Sequence, residues 1–349
     1  ADAVVSRFFR QQHGKNAYGS RDRAVLAETL YHVLRHKLRY EHLAPSGSGP
    51  RERRLAILGF AQHLQDQQPG QAGATDFLKS ALSEPEKTWL DACLAVDVDS
   101  LLDRHRYSLP DWLSDRLRAR FSDATSFHAL AQSLLQPAAL DLRVNTLKVT
   151  RERVLEELSH FKPIATPHSP VGIRIMPSSD GRAPSLQAEP AFQKGFYEIQ
   201  DEGSQLAAAL STVDPGMQVI DLCAGAGGKT LALAALMDNR GQIFATDSDK
   251  RRLAPIFDRL TRSGARNVQV RAPKTRDDEP LKGLEGQADL VLIDAPCTGT
   301  GTWRRNPDAK WRLRPNALED RIKEQRAVLE RASSFVKRGG RIAYITCSL

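Results

Sequence analysis

The hydrophobic pattern of the first third of the chain is helical. In RDRAVLAETLYHVLRHKLRYEHL (21–43), apolar residues recur every three or four positions with basic residues between them, at Val25, Leu26, Leu30, Val33, Leu34 and Leu38. The stretches near 52–67, 85–95 and 111–135 have the same character. The pattern predicts an all-α domain over residues 1–135, whose many arginines face either solvent or an RNA.

The pattern changes near residue 139. LDLRVNTLK (140–148) alternates apolar and polar residues as a strand does, VTRERVLEELSHF (149–161) has helical spacing, and GIRIMP (172–177) predicts a second strand. We therefore predict a small RRM-like α+β domain over residues 136–212.

The third part of the chain, residues 213–349, alternates strands and helices with short connections. Buried strands are predicted at MQVIDL (217–222), QIFATD (242–247), ADLVLIDAP (288–296) and RIAYITC (341–347). Helices are predicted at 229–237, at 250–264 and near 318–337. This alternation is typical of an α/β domain with a doubly wound, Rossmann-like parallel sheet. Ligands of such sheets bind at the carboxyl ends of the strands, so the chemistry is expected just after residues 222, 247, 294 and 346.

Composition narrows the class of protein. The 349 residues carry a formal net charge of +8, which favours a polyanionic partner. No apolar run is long enough to span a bilayer, and no signal-peptide pattern opens the chain. The four cysteines are far apart and never form C-x-x-C, which argues against disulfides and a zinc site. We expect a cytoplasmic monomer without a metal or a membrane partner. Because the chain stops on a strand-like run, we also expect its C-terminus to be incomplete.

The glycine-rich stretch DLCAGAGGKT (221–230) follows a predicted strand and opens a helix. A Walker A loop would need glycine where Cys223 lies, and a dinucleotide fingerprint read from Gly225 would need glycine at Thr230. A looser glycine loop suits S-adenosylmethionine, particularly because Asp247 ends the next strand, where a carboxylate can accept both ribose hydroxyls. The glycine loop and Asp247 together favour a binding site for a nucleoside-type cofactor over a turn with only a structural role.

Two thiols are predicted at strand ends that face this cofactor crevice. Cys297 follows Asp294-Ala295-Pro296, and Cys347 follows the last strand. A thiolate can add to C6 of a pyrimidine, which makes C5 nucleophilic toward a methyl sulfonium, and a base must then remove the C5 proton. From the residues alone, either cysteine could be the nucleophile. Asp294 could supply the acid near N3, and Lys229 a cationic support.

The quoted motifs resemble a known family. DLCAGAGGKT, DAPCTGTGTWRRNPDAKW (294–311) and TCSL (346–349) look like motifs of the RNA (cytosine-5) methyltransferases, the RsmB/NSUN group. LRVNTLK (142–148) and GFYEIQDEGSQLAA (195–208) also resemble segments of that family. More weakly, GSRDRAVLAETLYHVLRHK (19–37) resembles the NusB-like helical domain of its bacterial 16S ribosomal RNA branch.

The resemblance implies roles for individual residues. Cys347 would be the nucleophile, Cys297 the cysteine that resolves the covalent adduct, Asp294 the acid beside the base, and Lys229 the lysine of the glycine loop. The cofactor contacts would be Cys223, Ala224, Gly225, Ala226, Gly227, Gly228, Lys229, Asp247 and Asp294. The chain departs from the family at Ala272, where an aspartate usually contacts the adenine side of the cofactor.

The segment after the Pro-Cys motif is basic and aromatic. Arg304, Arg305, Lys310 and Arg312 are interleaved with Trp303 and Trp311, a composition that suits phosphate contacts and base stacking. The tryptophans could instead be anchored in a core. A target cytosine would have to be unstacked to reach a thiol in a crevice.

These observations predict an S-adenosylmethionine-dependent RNA cytosine-5 methyltransferase acting on 16S rRNA. One alternative is the same reaction on tRNA, against which the helical N-terminal domain argues. The other is a noncatalytic RNA-binding protein with a relic methyltransferase domain. The intact Lys229, Asp294, Cys297 and Cys347 argue against that alternative.

Overall fold

The first region of the computed structural model is helical. The structure describes residues 2–12, 17–68, 71, 73–176, 184–275 and 278–349. The helices of the first region are α1 (Asp2–Gln11), α2 (Ser20–Arg35), α3 (Lys37–Leu43), α4 (Arg51–Gln67), α5 (Asp76–Lys79), α6 (Glu84–Leu94), α7 (Asp103–Arg106), α8 (Asp111–Arg118) and α9 (Ala124–Ser133).

Two apolar cores hold these helices together. The first lies among α3, α4 and α6, around Tyr40, Leu58 and Leu90. The second lies between α8 and α9, around Phe127, and also contains Trp303 from the third region of the chain. The helical region therefore shares a core with the segment that follows the Pro-Cys motif.

A small antiparallel sheet follows the helices. Its strands β1 (Leu140–Val144), β2 (Ile164–Ala165), β3 (Gly172–Ile175) and β4 (Tyr197–Ile199) lie in the order β2-β3-β1-β4. The helices α10 (Arg151–Glu157), α11 (Pro190–Gln193) and α12 (Glu202–Leu210) accompany it. Leu142, Ile173 and Tyr197 are fully buried in its core.

The third region is built on a parallel sheet. Its strands β5 (Gln218–Asp221), β6 (Gln242–Ala245), β7 (Val268–Val270), β8 (Ala288–Asp294) and β9 (Val336–Ile345) lie in the order β7-β6-β5-β8-β9. The connecting helices are α13 (Gly228–Leu236), α14 (Lys250–Leu253), α15 (Ile256–Ser263), α16 (Ala309–Arg312) and α17 (Pro315–Phe335). All neighbouring strands of this sheet are parallel, so their carboxyl ends share one edge.

The structure confirms the predicted helical first region and the doubly wound α/β class, and it corrects several elements. The helix predicted over 111–135 is two helices, because Asp123 caps a new start by accepting the backbone N–H of Ser126 at 2.7 Å. The helix predicted over 250–264 breaks before Pro255, which has no N–H to donate. β4 and α12 lie in GFYEIQDEGSQLAA, a stretch whose periodicity was too short to predict them.

The small sheet is fastened to the third region through the end of α15. The Asn145 side-chain amide donates to the carbonyls of Gly195 and Ser263, at 2.9 and 2.8 Å. Glu198 on β4 accepts from Arg259 at 2.9 Å and from Arg262 at 2.6 Å. Because Asn145 and Glu198 are buried, these bonds are shielded from water and fix how the two regions lie against each other.

None of the helices within the described ranges is long and apolar enough to cross a membrane. The side chains of the same residues form no group of three His, Cys, Asp or Glu that could hold a metal ion.

Gly195→Ala should destabilise the fold strongly. Gly195 has a φ of +74°, and a Cβ there would overlap the backbone carbonyl of Arg262. We expect a loss of about 2–4 kcal/mol in the free energy of unfolding, from left-handed backbone strain of about 1–2 kcal/mol and from the overlap. Gly49→Ala is the matched control, since Gly49 has a φ of +83° but open space around its Cβ position. Equal losses in urea unfolding would contradict the close approach at Gly195.

Candidate active site

The two thiols predicted at strand ends lie side by side. β8 and β9 are parallel neighbours with Asp294 opposite Ile345, so the segments that leave them continue together. Ala295 N–H donates to Ile345 O and Gly301 N–H donates to Cys347 O, both at 2.8 Å. The Sγ atoms of Cys297 and Cys347 are 3.3 Å apart. The structure thus brings together the two cysteines that are 50 residues apart in sequence.

The contact between the sulfurs shifts the pKa values of both cysteines in opposite directions. The hydrogen bond with Cys347, together with donors from Ser348 and the Gly299 backbone, lowers the pKa of Cys297 to about 5. The same bond raises the pKa of Cys347 above its usual value, and partial burial adds to that effect. Deprotonation of Cys297 is therefore favoured over deprotonation of Cys347.

Asp294 and Lys229 form an ion pair beside the thiols. The Lys229 ammonium lies 2.7 Å from Asp294 Oδ2. Lys229 stands in the first turn of α13, whereas Asp294 is the last residue of β8. The negative charge of Asp294 is close enough to contribute to the raised pKa of Cys347. The predicted acid, the predicted lysine and both thiols therefore occupy one site.

The glycine loop is an open turn between β5 and α13. Gly225 and Gly227 have φ values of +51° and +82°, a region that favours glycine. Gly225 N–H donates to Asp247 Oδ2 at 2.9 Å, so the loop and the acid that ends the next strand are in direct contact. Asp247 is 2% exposed. The predicted cofactor residues Cys223, Ala224, Ala226 and Gly228 belong to the same turn.

Two residues near this loop were missed by the sequence reasoning. Arg259 on α15 donates to Ala226 O at 2.8 Å while it is ion-paired to Glu198. Asp221 is buried behind the loop, where Thr230 donates to its Oδ2 at 2.7 Å and burial raises its pKa to about 7. Asp221 opens the motif DLCAGAGGKT and could have been noticed, but nothing in the pattern of 250–264 marks Arg259.

Cys223, a predicted cofactor contact, and Ala272, the position where the chain departs from the family, have different environments. Burial raises the pKa of Cys223 to about 12, so this thiol stays neutral. Ala272, just after β7, is exposed and has no carboxylate to offer.

The basic segment after the Pro-Cys motif is tied to the rest of the protein. Arg304 donates to the carbonyls of Gln136 and Pro137, and Arg305 to Ala139 O and to Asp201. Arg312 is exposed and pairs with Asp308 at 2.5 Å. The phosphate contacts predicted for these three arginines stay predictions.

The burial of Lys310 argues against the phosphate contact predicted for it. Its side chain is 3% exposed, with the ammonium 4.9 Å and 5.8 Å from the ring centres of Trp311 and Trp303. Burial lowers its pKa to about 7. Trp303 is 1% exposed in the second helical core, so it cannot stack on a base, and Trp311 donates its indole N–H to Leu34 O. The two tryptophans therefore hold the segment against the helical region.

The pH dependence of alkylation should reveal the lowered pKa of Cys297. Because the pKa of Cys297 is lowered, its thiolate persists as the pH falls and is lost only near pH 5. The rate of Cys297 modification by iodoacetamide, followed by peptide mass spectrometry, should therefore have its midpoint near pH 5. Cys347→Ala removes the thiol donor and should shift that midpoint upward. A wild-type midpoint near 8.5, the value of a free cysteine, would refute the pairing.

The comparisons with known proteins agree on the class of protein. Residues 207–349 match the family model described as 16S rRNA methyltransferase RsmB/F. Residues 109–180 match the ferredoxin-like domain of RsmF/B-like methyltransferases.

Individual relatives are similar to this protein over nearly its whole length. A probable ribosomal RNA small subunit methyltransferase B from Synechocystis is 29% identical, over 94% of this chain and 78% of the relative. The ribosomal RNA small subunit methyltransferase B of Citrobacter koseri is also 29% identical, over 94% and 79%. The crystal structure of PH0851 superposes with a TM-score of 0.71 and 28% identity, over 93% of this chain and 77% of that one. The resemblance predicted from the motifs is confirmed: the chain is similar to the RsmB/F methyltransferases over nearly its whole length.

Proposed function

We propose that this protein transfers a methyl group from S-adenosylmethionine to C5 of a cytosine in RNA, through a covalent bond between a cysteine sulfur and C6. The observation that carries the proposal is the 3.3 Å pair of thiols beside Asp294 and Lys229 at one sheet edge. Methyl transfer to an oxygen or to an exocyclic amine needs no cysteine nucleophile, whereas C5 of a pyrimidine is unreactive until a nucleophile adds to C6.

The proposed substrate is 16S rRNA. Support comes from the names of the relatives from Synechocystis and Citrobacter koseri, both small-subunit rRNA methyltransferases that this chain matches over 94% of its length. That match includes the helical first region, which argues against a tRNA enzyme that shares only the catalytic motifs.

The glycine loop fits S-adenosylmethionine. A Cβ at Gly225 would lie 3.7 Å from Arg252 Nη2 and 3.9 Å from Asp247 Oδ2, so the glycine leaves the side of the loop that faces Asp247 open. Gly228 places its backbone N–H at the start of α13, where a nucleoside-type ligand can approach closely. When bound, this cofactor supplies an electrophilic methyl group. Because Ala272 offers no carboxylate on the adenine side, we expect Asp247 to provide most of the polar recognition.

Cys347 is the proposed nucleophile. Its thiol gives its proton to solvent, and the Cys347 thiolate adds to C6 of the cytosine. Asp294, after taking a proton from solvent, gives it to N3 and so balances this addition, with Lys229 Nζ hydrogen-bonded to its carboxyl group. C5 then carries the electron pair that takes the methyl group. Cys347 is the more exposed of the two thiols, as a group that must reach a substrate should be.

Release of the product requires the C5 proton to leave. The Cys297 thiolate is the base placed to take it. The electrons of the C5–H bond then form the C5–C6 double bond, the Cys347 sulfur departs as thiolate, and N3 returns its proton to Asp294. The low pKa of Cys297 favours the thiolate form that this step needs.

Cys347→Ser should abolish methyl transfer to an unmodified small-subunit rRNA transcript. We expect a loss of at least about 10³-fold, because a serine hydroxyl is far less nucleophilic than a thiolate. Tritium transfer from labelled S-adenosylmethionine measures it, with Cys93→Ser in the helical core as the control cysteine. Turnover that survives in Cys347→Ser would overturn the nucleophile assignment.

Cys297→Ser should instead trap the enzyme on its RNA. Without the base that removes the C5 proton, the adduct forms and does not resolve, so a slow band resistant to sodium dodecyl sulfate should appear on a gel. The double variant Cys297→Ser/Cys347→Ser should show no such band, because it lacks the sulfur that forms the bond. If Cys297→Ser turns over freely without an adduct, its release role is excluded.

A further inference from the structure

A large cleft separates the helical region from the small sheet. Its volume is about 1470 Å³, and its walls come from α2, α4, α9, the end of β3 and the segment 304–306. Small-molecule sites are usually about 300–1,000 Å³, so this cleft has room for a longer ligand. Five arginines line it: Arg35, Arg39, Arg106, Arg304 and Arg305.

Three of these arginines have no carboxylate partner. Arg106 pairs with Asp99 and Arg305 with Asp201. Arg35 donates only to the carbonyls of Gln136 and Arg304, and Arg39 donates to Arg106 O. Arg304 likewise bonds only to carbonyls. Among the described residues, no Asp or Glu oxygen lies within salt-bridge distance of these three guanidinium groups. Carbonyl oxygens orient a guanidinium but do not cancel its charge.

The cleft therefore holds a net positive charge in place, because its five arginines outnumber the three carboxylates of Glu28, Asp66 and Asp99 in its lining. Arg35 is 7% exposed, and its burial together with the nearby charge of Arg304 lowers its pKa from the usual arginine value. The histidines of the same wall add little charge, since burial lowers the pKa of His32 to about 4. A fixed cluster of cations in a cleft attracts an anion, and an extended cleft suits a chain of anions.

The cleft is connected to the thiol site by a single short segment. Gly301 N–H donates to Cys347 O at the thiols, and Arg304 lines the cleft three residues later, at most about 10 Å along the chain. Trp303, buried in the helical core between them, holds the segment against both regions. An RNA strand whose unstacked base reaches the thiols would therefore pass the mouth of the cleft within a few nucleotides.

We propose that this cleft binds the single-stranded RNA backbone that flanks the methylated nucleotide, through Arg35, Arg39 and Arg304. The inference rests on the proposed function, because it takes RNA as the substrate. It assigns the helical region a direct part in substrate binding, on a wall shared with the catalytic region. Phosphate groups are the ligands that planar guanidinium forks recognise best. A single strand fits because the target base must leave its stack.

The test is binding of a fluorescein-labelled, twelve-nucleotide single-stranded RNA of mixed sequence to the full chain. Fluorescence anisotropy at several salt concentrations gives the dissociation constant and its salt slope. Arg39→Gln and Arg304→Gln should each weaken binding about 3- to 10-fold near 0.1 M salt, and each should reduce the slope by about one counterion. Arg266→Gln is the control, since Arg266 is exposed and does not line the cleft.

Lysine variants distinguish the effect of the positive charge from the effect of the guanidinium hydrogen bonds. Arg39→Lys and Arg304→Lys keep the charge but lose the fork to the carbonyls, so they should retain the salt slope of the wild type. Thermal melting checks that each variant is folded. The proposal is overturned if the glutamine variants bind like the wild type, or if lysine and glutamine weaken binding equally.

The two proposals can fail separately. Unchanged binding in the glutamine variants, with methyl transfer intact in the wild type, removes the cleft and leaves the function. If the wild type binds the oligonucleotide through these arginines but transfers no methyl group to rRNA, the cleft stands and the function fails.

Discussion

The pairing of β8 with β9 is the interaction on which the active site depends. Parallel register places Asp294 opposite Ile345, and the chain leaves both strands in the same direction. Backbone bonds from Ala295 to Ile345 and from Gly301 to Cys347 then carry the two segments together beyond the sheet. The result is a sulfur–sulfur distance of 3.3 Å, within hydrogen-bond range for two thiols. A slip of one residue in this register would turn one of the thiols to the other face of the sheet.

The small sheet and the helical region each hold part of this sheet edge in place. On one side, the buried Glu198 of the small sheet holds Arg259, which donates to Ala226 O in the glycine loop. On the other side, Trp303 fills a core between α8 and α9, so the segment after Cys297 is anchored in the helical region. The glycine loop and the segment after the Pro-Cys motif are thus each fixed by an element outside the Rossmann-like sheet. Because Trp303 and Arg259 make contacts between regions, all three regions of the chain contribute to the geometry of this site.

The basic residues of the segment that follows the Pro-Cys motif have two different environments. Lys310, between two tryptophan rings, and Arg305, beside Asp201, stabilise the contact between regions. Arg304, with Arg35 and Arg39 of the helical region, has no carboxylate partner within the described part of the chain. Composition alone cannot distinguish these two environments, because a lysine in a packed interface and an arginine that lines a cleft contribute equally to a basic, aromatic stretch.

The sequence by itself determined the alternation of strands and helices, the glycine loop and the family, because these depend on local periodicity and on short contiguous motifs such as DLCAGAGGKT. It also placed Cys297 and Cys347 at strand ends. Only the tertiary structure decided that the two sulfurs touch, since strand order and register bring together residues 50 positions apart. Tertiary packing alone decided that Lys310 and Trp303 are buried, and that Arg259 reaches the cofactor loop. Whether a residue is buried, and which distant residues it contacts, depends on the side chains that pack against it. Those side chains lie far from it in the sequence.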